Sequence, residues 1–86
     1  MDIERALGWV DLEGAEVLFW VIGGCHTSEE LTDKVGITKL ASNAQLLIDL
    51  GLLHREVGEN TNIYTCPCEE EILRAILKKY PQLLKP

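Results

Sequence analysis

The chain has 86 residues and a formal net charge of −6, from 14 acidic and 8 basic side chains. With 47% hydrophobic residues it does not have the composition of a disordered chain. Its length points to one small domain over residues 1–86, with a modest core that oligomerisation would help to stabilise.

No apolar run approaches the ~20 residues of a membrane span. The start, MDIERALG, is acidic rather than basic and apolar. A cytoplasmic protein with no membrane partner is therefore expected. Residues 1–7 read as a short helix with Ile3 and Leu7 at i and i+4. Gly8 interrupts it, and Trp9 with Val10 is expected to pack inward. Asp11 is a candidate N-cap for a helix over about Leu12 to Ile22, and Glu13 favours the positive end of that helix. Val17 to Ile22 is apolar all round, which predicts burial on several sides. Gly23-Gly24 stops it, and Cys25-His26 is expected as a short strand pairing with a later hairpin.

Residues 28–51 read as two helices around a tight turn. Thr27 and Glu30 have the spacing of a capping box. Leu31 and Val35 share a face, and Gly36 ends the first helix. Leu40, Ala44, Leu47 and Leu50 then recur at steps of four and three, an apolar stripe of helical period. Gly51 is the stop. Two short helices joined by a glycine turn have the pattern of a helix-turn-helix. Residues 53–66 follow as a hairpin: strands His54–Val57 and Ile63–Cys66 around the turn Gly58-Glu59-Asn60-Thr61-Asn62. The fold class expected is α+β, mostly α: a winged helix-turn-helix with an added C-terminal helix.

That last helix spans residues 68–80. Glu69, Glu70 and Glu71 lie in its first turn and Lys78 and Lys79 in its last, matching the helix dipole. Ile72, Ala75 and Ile76 make one stripe; Leu73, Leu77 and Tyr80 make a second. The two together are wider than one small core requires. A homodimer through the N-terminal and C-terminal helices is expected, the alternative being that this helix folds back on its own core. Pro81 ends it.

The segment from about Leu7 to Cys66 resembles the winged-helix domains of MarR, TrmB and ArsR-type prokaryotic regulators. The matching pieces are Leu7-Gly8, Ala15-Glu16-Val17-Leu18, Thr27-Ser28-Glu29-Glu30-Leu31, Gly36-Ile37 and Leu50-Gly51-Leu52-Leu53. The resemblance implies a transcriptional regulator that binds duplex DNA as a homodimer, with the second helix in the major groove. On that reading Thr38, Lys39, Ser42, Asn43 and Gln45 face bases or phosphates, since amides can pair with adenine and hydroxyls with bases or phosphates. Lys34 lies near the backbone, and Arg55, Asn60 and Asn62 act from the wing.

Charge opposes this. Duplex affinity comes largely from cations that neutralise phosphates. Ser28 to Thr65 holds Lys34, Lys39 and Arg55 against Glu29, Glu30, Asp33, Asp49, Glu56 and Glu59. Leu46 and Ile48 are apolar where such regulators often carry charge. Leu46 either packs under the wing and Ile48 against a neighbouring helix, or both are exposed and mark a protein-binding surface. The alternative function is an acidic winged-helix adaptor that binds protein and not DNA.

Three cysteines and two histidines are enough side chains for a zinc site, but the C-x-C spacing of Cys66 and Cys68 is not the usual one. Neither metal nor cofactor is expected. Cys66 and Cys68 are candidates for redox chemistry, with buried free thiols as the plainer alternative. There is no phosphate-cradling glycine loop and no nucleophile elbow, so no enzyme is expected.

Overall fold

The computed structural model describes residues 2–84. It is mostly helical, with one small antiparallel sheet. In chain order the elements are α1 (Ile3–Leu7), α2 (Leu12–Ile22), α3 (Ser28–Val35), α4 (Ile37–Asp49), β1 (His54–Val57), β2 (Asn62–Thr65) and α5 (Glu69–Lys79). A 3₁₀ turn, Pro81–Leu84, closes the described chain. Met1, included in the expected first helix, lies outside the described residues.

Local chemistry sets most helix boundaries. Asp11 accepts from the Gly14 backbone N–H at 2.9 Å, satisfying a donor that α2 leaves free. Thr27 and Glu30 form the full capping box: the Glu30 N–H donates to Thr27 Oγ1 at 3.2 Å and the Thr27 N–H to Glu30 Oε1 at 3.3 Å. Gly36 ends α3 and begins α4 at φ +88°, a backbone that a side chain at that position would strain. Nothing lies within 4 Å of where a Cβ would sit there, so conformation and not space demands glycine. α4 starts without a side-chain cap.

The core forms where α2 meets α3, α4 and α5. Val17, Leu18 and Val21 of α2 are fully buried with Leu31, Leu47, Leu52, Ile72 and Ile76. The all-round apolar run of α2 is thus explained, because helices cover it on more than one side. Leu40 and Ala44 complete the inward stripe of α4, and Leu50 is half-buried at its end. Gly14 gives α2 room beside the preceding turn: a Cβ there would stand 2.8 Å from Val10 Cγ1.

α5 folds back on this same core. Ile72 and Ile76 are buried within the chain, and α5 packs on α1 as well as α2. Its far end is clipped down by Lys79 Nζ, which donates to the Leu7 carbonyl at 2.6 Å and the Val10 carbonyl at 3.2 Å. The Tyr80 hydroxyl donates to the Val10 carbonyl at 2.8 Å. The first α5 stripe is therefore used intramolecularly.

Three expectations need correction. Trp9 is 73% exposed; the turn after α1 points it outward while Val10 goes in. Cys25-His26 is not a strand. The bridge falls one residue later, between Thr27 and Ile63. His26 still ties to the hairpin, its carbonyl accepting from the Tyr64 N–H at 2.6 Å. The His26 ring Nδ1 lies 3.0 Å from the Tyr64 carbonyl, and since a carbonyl only accepts, Nδ1 carries the proton. The return strand begins at Asn62 rather than Ile63, in a register pairing His54 with Thr65 and Val57 with Asn62.

Candidate functional site

The exposed side of α4 and the cleft beside it bring together more of the expected contact residues than any other region. Residues 38, 42, 45 and 49 recur at steps of four, three and four, so one stripe of α4 presents Thr38, Ser42, Gln45 and Asp49. Ala41 lies between them, and all five are exposed. At the stripe's far end Gln45 Nε2 donates to Asp49 Oδ1 at 2.8 Å. Ile37, at the start of the helix, is 62% exposed.

The hairpin forms the other wall. An open cleft of about 390 Å³ runs between α4 and the sheet, with Ile37, Ala41 and Gln45 on one side and Arg55, Asn62 and Tyr64 on the other. The hairpin is held there by the first turn of α3. Ser28 Oγ donates to the Asn62 carbonyl at 3.4 Å and accepts from the Asn62 N–H at 3.3 Å. Thr61 Oγ1 donates to Glu29 Oε2 at 2.6 Å, and this bond holds the Glu29 carboxyl below the usual carboxylate range.

Two residues read as outward are not. Asn43 is only 9% exposed, and its Nδ2 donates to the Lys39 carbonyl at 2.8 Å. It follows Leu40 by three and precedes Leu47 by four, which places it on the inward stripe. There it satisfies itself on the preceding turn of its own helix. Lys39 is half-buried and turned toward α2, where Nζ donates to Glu16 Oε2 at 2.7 Å. That bond pushes the Lys39 ammonium above the ordinary lysine range.

The other candidates are scattered. Lys34 is exposed, but its ammonium sits 5.2 Å from the centre of the Trp20 ring on α2, away from the cleft. Asn60 is exposed at the hairpin tip, beside Glu59 and near Glu29. Of the three cations between Ser28 and Thr65, only Arg55 borders the cleft. Leu46 is 42% exposed rather than packed under the hairpin, whereas Ile48 packs against the core.

Two features escaped the sequence reading. Ala41 and Ile37 belong to the exposed face although neither is polar; the period that places Thr38 and Gln45 places Ala41 too. The second is a gap in charge. From Lys34 to Ile48 the chain holds no Asp or Glu, against 14 in the whole. The exposed stripe of α4 is therefore free of carboxylates until Asp49.

The three cysteines are free. Burial, reinforced by the nearby Glu69 carboxylate, pushes the Cys66 thiol up to about 12. At ordinary pH that favours the neutral thiol, the less reactive form. Cys68 is exposed at the head of α5, with φ +49°, and Cys25 is half-buried.

No helix among the described residues is long and apolar enough to cross a membrane. The chain matches no protein-family model, no curated protein and no solved structure.

Proposed function

We propose that this chain is a winged helix-turn-helix domain of the MarR, TrmB and ArsR kind and acts as a duplex-DNA-binding transcriptional regulator. α3 and α4 are the helix-turn-helix, β1 and β2 the wing, and α4 the element that enters the major groove. The observation that carries this reading is the exposed stripe of α4, free of carboxylates from Thr38 to Gln45 and reaching one only at Asp49, in a chain that is otherwise acid-rich. A face meant only to be solvated would have no reason to exclude Asp and Glu; a face that meets a polyanion must.

Supporting features lie around that stripe. The start of α4 has no side-chain cap, so backbone N–H groups of its first turn are free for a phosphate. Arg55 reaches the cleft from the wing side. Thr38, Ser42 and Gln45 remain as base or phosphate contacts; Asn43 is withdrawn, and Lys39 takes part only once Glu16 releases it. A second copy supplies the second reading helix. Trp9, 73% exposed, and Leu84, 66% exposed, are the apolar groups of the terminal elements left for that contact. The stripe of Ile72 and Ile76 is not, being used within the chain.

With so few cations, electrostatics should contribute little. Each neutralised phosphate adds about −0.9 to the slope of log K against log salt, so a dimer using Arg55 and at most one lysine per protomer should give roughly −2 to −4. Glu16→Gln should free Lys39, tighten binding several-fold and steepen that slope by roughly 1 per protomer. Fluorescence anisotropy with a mixed-sequence duplex, repeated over a salt series for both proteins, measures this. Absence of binding at the lowest salt in both would contradict the reading.

The second reading is an acidic adaptor that binds protein. Ile37 and Leu46, exposed at the two opposite edges of the outer side of α4, favour it, because exposed apolar side chains suit a protein partner. It becomes the better account if duplex binding is absent.

A further inference from the structure

The exposed face of α4 also restricts which base pairs it can recognise. Resting on the DNA-binding reading above, we infer that the protein selects A·T base pairs at the positions read by α4, through Gln45 on adenine and the methyl groups of Thr38 and Ala41 on thymine.

Each base presents its own set of groups in the major groove. Guanine offers two acceptors, O6 and N7, and is most often read by Arg or Lys. The exposed stripe has neither: Lys39 is turned to Glu16 at 2.7 Å, and Lys34 lies over Trp20. Cytosine offers a donor, N4–H₂, read by a carboxylate. The stripe has none before Asp49, at the last turn of α4 and already accepting from Gln45.

Adenine and thymine do find matching groups. Adenine presents N7 as acceptor and N6–H₂ as donor, which an amide matches with one N–H and one carbonyl oxygen. Gln45 Nε2 has two protons, and Asp49 takes only one. The other proton and Oε1 remain free, while Asp49 fixes the direction of the amide. Thymine presents a C5-methyl group that apolar atoms contact. Ala41 supplies a methyl group one helical turn before Gln45 and Thr38 another two turns before it, with only the short Ser42 beside them on the stripe. Ser42 accepts or donates and discriminates little. Arg55 sits across the cleft on the hairpin, where a phosphate is the nearer target.

The test is competition. A labelled mixed-sequence duplex is bound to the full chain at low salt and displaced by unlabelled duplexes of equal length, one of only A·T pairs and one of only G·C pairs. The A·T competitor should displace at roughly 10-fold lower concentration, the scale of a good base contact. Replacing every thymine by uracil removes the C5-methyl and leaves the hydrogen-bonding groups in place. It should weaken that competitor several-fold for the parent and less for the Thr38→Ser variant, which lacks one methyl group. Gln45→Ala should narrow the A·T advantage.

Equal displacement, a G·C preference, or indifference to uracil would overturn the inference and leave DNA binding standing. A G·C preference lost in Arg55→Ala would overturn it too, assigning base reading to the hairpin. No binding to the labelled duplex at all would overturn this inference together with the reading beneath it.

Discussion

Ser42→Glu combined with Thr38→Glu should lower duplex affinity at least 100-fold while leaving the fold intact. Both positions are exposed on α4 and make no contact with the core. Surface substitutions away from caps and buried groups usually change stability by no more than about 0.5 kcal/mol. In the groove the same changes would set two carboxylates against the phosphate field, where Arg55 lines the cleft and the neighbouring Lys39 is held by Glu16. Like-charge juxtaposition at an interface costs several kcal/mol, and about 2.8 kcal/mol already corresponds to 100-fold. Anisotropy against the parent's duplex, with circular dichroism melting as the control, reads both quantities. Unchanged affinity in a folded double variant would show that α4 does not carry the contact.

Leu47→Ala should have the largest effect on stability. Leu47 is fully buried where α4 meets the rest of the core, and both the Leu52 and Leu53 backbone N–H groups return to its carbonyl, at 2.9 and 3.2 Å. Removing its side chain loses the transfer energy of the missing atoms and leaves a cavity among groups that relax only partly, together about 2–5 kcal/mol. In a domain of this size each kcal/mol moves the melting temperature by about 4–8 °C. A drop of roughly 10 °C or more in thermal melting is expected. A shift under about 3 °C would mean that α4 does not rest on the core through this residue.

Helix boundaries were largely legible in the sequence because caps are local. Asp11, Thr27 with Glu30, and Gly36 act within a few residues of themselves, and each does what its spacing implied. The apolar period of α4 likewise reported which side goes inward. Where side-chain polarity and helical period disagree, the period decides the direction. Asn43 is polar yet sits on the inward stripe, where its own helix satisfies it. Trp9 is apolar yet stands outside, because the turn after α1 sets its direction. Lys39 escaped for another reason: its partner Glu16 lies on a different helix, 23 residues away. No local pattern announces such a pair. The cleft between α4 and the hairpin is equally non-local, since Gln45, Arg55 and Asn62 meet only after the hairpin is tied to Ser28 and Glu29.

On the proposed reading the bond between Lys39 and Glu16 bears on function as well as on the fold. It removes the one cation of α4 from the groove, so the free protein meets DNA with hydroxyls, an amide and methyl groups. Such a surface relies on shape and base edges more than on charge, and its selectivity should be less sensitive to salt than that of a basic regulator.

The most direct measurement is a titration of isotope-labelled protein with a short duplex, followed by amide chemical shifts at low salt. The account predicts that the shifts concentrate at Ile37 to Gln45 and Arg55, with Trp9, α1 and the outer side of α5 unmoved. Shifts confined to those terminal elements, or none at any duplex concentration, would contradict it.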